Sequence, residues 1–171
     1  MTLAPRASPL TMTRHRDPLA DVAVLVPRIY SYVAYRIGAG PDAEDVTSDV
    51  FERAVRYRNT YDPSLGEPIA WLIGIARRCI EAAGRPLPHS NGDLGDLAAP
   101  GEIESESLRR LMVAAAVARL DLRDRDLIAL RYGSDLSAGQ IAGIVGMKQN
   151  AVEVALHRAR ARLREDLSPD D

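Results

Sequence analysis

Cysteine is almost missing from this chain, with Cys79 standing alone. A lone cysteine excludes an internal disulfide and any zinc site built on cysteine pairs, and it fits a reducing cytoplasm. Its expected role is that of a small apolar core residue. Histidines are few and scattered, at His15, His89 and His157. No metal cluster, phosphate-cradling glycine loop or nucleophile–base pair can be assembled from the sequence, so neither enzyme activity nor a metal or cofactor is expected. No apolar run approaches the ~18 residues of a membrane span. Arg6, Arg14 and Arg16 near the start are not followed by an uninterrupted apolar stretch, so no secretory signal is expected. Strand-like alternation and internal repeats are also missing. A net charge of −2 provides no global basic field.

What is present is charge segregation. From Leu108 to Leu167 there are eleven basic residues against seven acidic ones, a local charge of +4. Between Arg85 and Arg109 stand Asp93, Asp96, Glu102, Glu104 and Glu106 with no basic residue among them. The stretch from Asp21 to Arg85 is close to neutral, with eight basic and nine acidic residues. A balanced half, an acidic connector and a basic half imply more than one kind of partner.

Apolar spacing divides the chain. Residues 1–17, rich in Thr, Pro and Arg, are expected to be a disordered leader. From Pro18, the spacing of Val22, Leu25, Val26, Ile29 and Val33 predicts a helix ended by Gly38 and Gly40. Pro41 and Asp42 open a second helix, with Asp42 as expected cap and Asp45 in the positive first turn. Val46, Val50, Phe51 and Ala54 form its apolar stripe. A polar loop from Tyr57 to Glu67 follows, then a third helix led by Pro68 and carrying Ile69, Leu72, Ile73, Ala76 and Ile80. Residues 87–103 read as an acidic linker. Helical patterns resume over Glu104 to Leu120 and Asp124 to Tyr132, and 168–171 form a tail. The expected fold is all-α, with two small helical domains at 18–86 and 104–167 joined by a flexible acidic linker.

Leu136 to Leu163 carries the strongest motif. Ser137 followed by Gln140 is a capping-box pattern. Ile141, Ala142, Ile144 and Val145 give an apolar side, and Gly146 supplies a turn that requires positive φ. Val152, Leu156, Ala159 and Leu163 then mark a second helix whose other faces carry His157, Arg158, Arg160, Arg162 and Arg164. Two short helices joined by a glycine turn, the second basic, are suited to a DNA major groove.

Two further constellations stand out. Asp45, Asp49 and Glu52 line one face of the second helix, readable either as a solvated acidic face or as a docking surface for a basic partner helix. Tyr57, Arg58, Asn59, Tyr61 and Trp71 place aromatic faces beside donors, as stacking on unpaired bases requires. Trp71 reads more readily as core, and the two tyrosines fit either role. Arg77 and Arg78 follow as phosphate contacts.

Together these blocks resemble a bacterial RNA polymerase sigma factor of the extracytoplasmic-function group (group IV). "DAEDVTSDVFERAVR" from Asp42 and "AWLIGIARR" from Ala70 are similar to the family's second conserved region. The stretch "ARLDLRDRDLIALRYGSDLSAGQIAGIVGMKQNAVEVALHRARARLRE" from Ala118 is similar to its fourth. The resemblance implies a non-enzymatic initiation factor. Asp45, Asp49 and Glu52 would meet the beta-prime clamp helices of core polymerase, with the beta flap as a further contact. Tyr57, Arg58, Asn59, Tyr61, Trp71, Arg77 and Arg78 would hold the melted minus-ten element. Lys148, Gln149, Asn150, Glu153, His157, Arg158, Arg160 and Arg162 would serve the minus-thirty-five element. An anti-sigma factor is an implied further partner.

Several positions depart from the family. Lys148 stands where a capping Ser is usual, Ala151 where Thr is common, and Glu153, Val154 and Ala155 where Lys, Ser and Arg are. Asn150 with Glu153 is expected to form a late capping pair, starting the helix two residues later. Glu153 suits a cytosine amino group, and Gln149 or Asn150 suits adenine. Ser48 replaces a frequent Gln, which would weaken core binding slightly. The rival readings are a stand-alone helix-turn-helix regulator and a polymerase-binding protein that no longer reads promoters.

Overall fold

The computed structural model describes residues 17–84 and 102–168, with side chains from residue 107 onward in the second stretch. The expected leader, linker and tail lie almost wholly outside the described residues. Among those residues every regular element is helical. The order is α1 (Val22–Ile37), α2 (Pro41–Tyr57), α3 (Pro68–Ala82), α4 (Glu102–Arg119), α5 (Leu122–Ile128), α6 (Ala138–Val145) and α7 (Gln149–Leu167). A 3-10 turn, Arg58–Thr60, follows α2, and a π-helical turn, Ala129–Gly133, continues α5.

In the first domain, α1, α2 and α3 pack on one another. Leu25, Ile29, Tyr32, Val33 and Ile37 are buried on α1. Val22 and Val26, expected in that stripe, are exposed instead. Leu25, between them in the chain, is buried, so the covered face of this end of α1 is narrower than the apolar spacing and leaves both valines at its edges. On α2 the buried line is Ala43, Val46, Thr47, Val50 and Ala54, and the Thr47 hydroxyl donates to the Ala43 carbonyl at 2.6 Å. Pro41 opens α2 and Pro68 opens α3, where a missing N–H costs nothing. The N-cap of α2 is Gly40, so Asp42 lies inside the first turn rather than capping it. Asp45 falls just past that turn, where Asp42 and Glu44 meet the helix dipole in its place. Cys79 is in the core, and burial pushes its thiol pKa up.

In the second domain, α6 and α7 form the helix-turn-helix. Ser137 and Gln140 complete a reciprocal capping box, with each backbone N–H bonded to the other's side chain. Gly146 takes φ 69°, the left-handed conformation expected of the turn residue. Val152, Leu156 and Ala159 are buried on α7. Arg125 is buried and donates to the carbonyl oxygens of Val117, Ala118 and Leu120. It thereby closes the C-terminal end of α4, whose last carbonyls have no partner within the helix.

The two domains meet directly. The π-helical turn rests on α1, and one apolar cluster runs through both halves. A Cβ on Gly133 would stand 2.9 Å from the Tyr32 nitrogen and 3.0 Å from the Ser31 carbonyl carbon, closer than side chains come to backbone. Glycine therefore sets how closely the halves approach. Arg28 Nε donates to the Ser134 carbonyl at 2.8 Å, and the Ser134 hydroxyl donates back to the Arg28 carbonyl at 3.2 Å. Full burial of a side chain such as Ile29, Leu127 or Leu130 contributes about 1.5–3 kcal/mol, against about 1 kcal/mol for a neutral hydrogen bond. Shared apolar burial thus dominates the contact, and the polar pairs fix its register.

Candidate polymerase and nucleic-acid interface

On α2, Asp45, Asp49 and Glu52 are all exposed along one face. Glu52 pairs with Arg56 one turn on, at 2.8 Å, in an open setting where such pairs contribute little. The stripe of Val46, Val50 and Ala54 anchors the opposite side of the helix, so the acidic row projects from a rigid support.

The segment after α2 sorts its aromatics. Tyr57 is half exposed at the end of α2. Arg58 and Asn59 are exposed in the 3-10 turn, which the Thr60 hydroxyl fastens by donating to the Tyr57 carbonyl at 2.7 Å. Tyr61 turns inward. Its ring packs against Trp71 at 5.7 Å with the planes tilted by 59°, and its hydroxyl donates to the Gly66 carbonyl at 2.9 Å. Tyr61 and Trp71 therefore brace the loop, and Tyr57 is the member of the three that projects. Arg78 is exposed on α3. Arg77, one position away, is half buried and paired with Asp126 of α5.

At the second site, α7 begins at Gln149 with Lys148 as N-cap, and the Lys148 side chain makes no capping bond. The expected late start does not occur: Asn150 lies inside the helix, and Glu153 accepts from Gln149 Nε2 at 2.9 Å. That bond gives Glu153 a local partner one turn back, which outcompetes a capping role. Lys148, Gln149, Asn150, Glu153, His157, Arg158 and Arg160 are exposed. Arg162 reaches back instead, pairing with Asp121 at 3.3 Å and with Asp124.

Sequence reasoning missed the group at the junction of the domains. Asp126 accepts from Arg36, Arg77 and the Tyr32 hydroxyl, the last at 2.7 Å. Burial, helped by the Asp126 charge, raises the Tyr32 phenol well above its ordinary range, so it remains a donor at neutral pH. Gln140 Nε2 donates to Glu67 across the same junction at 2.9 Å. Nothing in local spacing signals these pairs, because their members lie 49 to 94 residues apart. Among the described residues no group of His, Cys, Asp or Glu is placed to hold a metal ion, and no helix is long and apolar enough to cross a membrane.

The two blocks have known counterparts. Residues 22–83 match the family described as Sigma-70 region 2, and residues 110–163 match that described as Sigma-70, region 4. The class is thus that of sigma-70-type transcription initiation factors. Among curated proteins, the chain is 30% identical to the ECF RNA polymerase sigma factor SigD of Mycobacterium tuberculosis, over 89% of this chain and 78% of SigD. It is also 30% identical to the ECF RNA polymerase sigma factor BldN of Streptomyces coelicolor, over 84% of this chain but 57% of BldN, so it spans little more than half of that relative. Its fold is like that of RpoE from Bartonella quintana, solved with the anti-sigma factor NepR, with a TM-score of 0.65 and 23% identity over 88% of this chain and 96% of that one. This chain belongs to the ECF RNA polymerase sigma factors.

Proposed function

We propose that this chain binds core RNA polymerase in the cytoplasm and directs it to a restricted set of promoters. One observation carries the reading: a single chain displays an exposed acidic row on α2 and, on a separate domain, an exposed polar front on α7. Asp45, Asp49 and Glu52 dock on the beta-prime clamp helices, and the second domain also meets the beta flap. Tyr57, Arg58, Asn59 and Arg78 face the melted minus-ten strand, with Tyr61 and Trp71 shaping the loop that presents them. Lys148, Gln149, Asn150, Glu153 and His157 serve the minus-thirty-five bases, while Arg158 and Arg160 serve its phosphates. An anti-sigma factor that holds the chain inactive is part of the same proposal.

The reading requires the domains to separate. The two promoter elements lie about 25 base pairs apart, which is about 85 Å along B-form DNA. A chain of this length packed as one globule has a radius of gyration of about 16 Å, and so a diameter of about 40 Å. The packed form cannot reach both elements. Residues 85–101 have a maximal reach of about 60 Å, which supplies the missing span once the interface opens.

The direct test is charge reversal. Asp45→Lys with Asp49→Lys should abolish co-purification with core polymerase while leaving helical content and unfolding temperature unchanged. Retained core binding by the folded double variant would reject the acidic row as the docking surface.

A further inference from the structure

The geometry points to a backbone-phosphate site formed by Arg36 and Arg77 with the Tyr32 hydroxyl, a site that Asp126 fills in the packed form. The inference rests on the proposed function, since it assumes that the domains open on promoter DNA.

All three donors belong to the first domain, on α1 and α3, whereas the one acceptor comes from the second. Arg36 and Arg77 retain 18% and 29% of their side-chain exposure, and Asp126 retains 15%. Tyr32 also accepts weakly from Arg36 at 3.3 Å and from Arg77 at 3.4 Å, which holds both guanidiniums toward one point. Arg36 Nε is buried with no hydrogen-bond partner, so the site has unused donor capacity even when Asp126 is in place. Arg123 and Glu81 line the cleft of about 530 Å3 beside it.

Opening withdraws Asp126 with its domain. Two partly buried guanidiniums and a phenol then converge on an empty point, and Glu81 is the acid left near them on α3. Opening exposes both guanidiniums further and removes the carboxylate that neutralised them, so two like charges held close together have no counter-charge. A phosphodiester offers two anionic oxygens, and arginine forks match them more closely than any neutral group does. Arg78, next along α3, is already exposed toward solvent, so a strand held there brings its backbone past Arg77. Asp126 thus acts as an internal mimic of phosphate, and the packed form and the DNA-bound form compete for one pair of arginines.

The test uses the full chain and a labelled single-stranded oligonucleotide, read by fluorescence anisotropy, with a donor–acceptor dye pair across the domain junction. Asp126→Asn keeps the shape but removes the charge. It should open the junction and tighten oligonucleotide binding about tenfold. The slope of log affinity against log salt should steepen by about 0.7 for each phosphate gained. Adding Arg36→Ala to that variant should cancel the gain. Gly133→Ala, which wedges the backbones apart without touching a charge, should give the same tightening and guards against misfolding of the first variant. An open junction with unchanged affinity, or a gain that survives Arg36→Ala, would overturn the inference. Inorganic phosphate at equal concentration should not displace the strand. Displacement by phosphate would identify a small-anion site and reject the backbone assignment. Core polymerase binding by Asp126→Asn should remain that of the parent, and failure of the parent itself to bind core would reject the proposed function independently of this site.

Discussion

Asp121 shows how much a single side chain sets. It caps α5 by accepting the Asp124 N–H at 2.8 Å and also faces Arg162. That N–H first, and the Arg162 charge after it, hold its carboxyl pKa below the ordinary 3.8. A depressed folded-state pKa stabilises the fold above the unfolded value, and that contribution is lost as pH falls through the folded value. Asp121→Ala should therefore lower stability by about 1 kcal/mol near neutrality. The gap between variant and parent, measured by denaturant unfolding, should close as pH drops below 3.8. A pH-independent gap would mean that the ionised cap is not what the variant removes. This residue lies in a run, "LDLRDRDL", of closely alternating charge. Within that run Arg125 is buried on carbonyls, Asp126 is locked between arginines, and Asp124 is buried against Arg162. Charge pattern alone does not separate a solvated ion from a buried one when the partner is distant in sequence.

Elements were more legible than single buried charges, because caps and turns are local. The Ser137–Gln140 box and the Gly146 turn follow from a few adjacent residues and stand as expected. The spacing of Val152, Leu156 and Ala159 likewise marked the buried side of α7. The errors fell at ends. Val22 and Val26 continue the apolar spacing of α1, but spacing does not say how wide the covered face is, and there only Leu25 is buried. The start of α7 was misplaced because Glu153 found Gln149 rather than an N-terminal N–H. The π-helical turn after α5 had no local signal, since its shape is tied to the approach of α1 on Gly133. The uncapped start of α7 makes its own prediction. Lys148→Ser would supply the missing acceptor, contributing about 1 kcal/mol, and should raise the thermal midpoint by about 2–4 °C. An unchanged or lower midpoint would show that the first N–H groups of α7 are already satisfied.

For the whole molecule, the sequence supplied the two helical domains and their order but not their contact. Arg28 with Ser134, Tyr32 with Asp126 and Glu67 with Gln140 are separated by 106, 94 and 73 residues. Each such contact depends on the packing of both domains and on nothing local. The result is a closed form in which part of the proposed nucleic-acid face of the first domain is held by the second. Apolar burial makes this form stable, and the Arg36, Arg77 and Asp126 pairs would tie its opening to the arrival of an anion. On the proposed reading, promoter binding, domain separation and release of Arg36 and Arg77 form one linked equilibrium.

The central claim is that this chain confers promoter choice on core polymerase. Run-off transcription with core enzyme over a pool of genomic promoter fragments, with and without the chain, tests it most directly. Discrete transcripts that appear only when the chain is present, and that vanish with the Asp45→Lys, Asp49→Lys variant, are the predicted result. An identical transcript pattern with and without the chain, together with no retention of core polymerase, would contradict it and favour a stand-alone helix-turn-helix regulator.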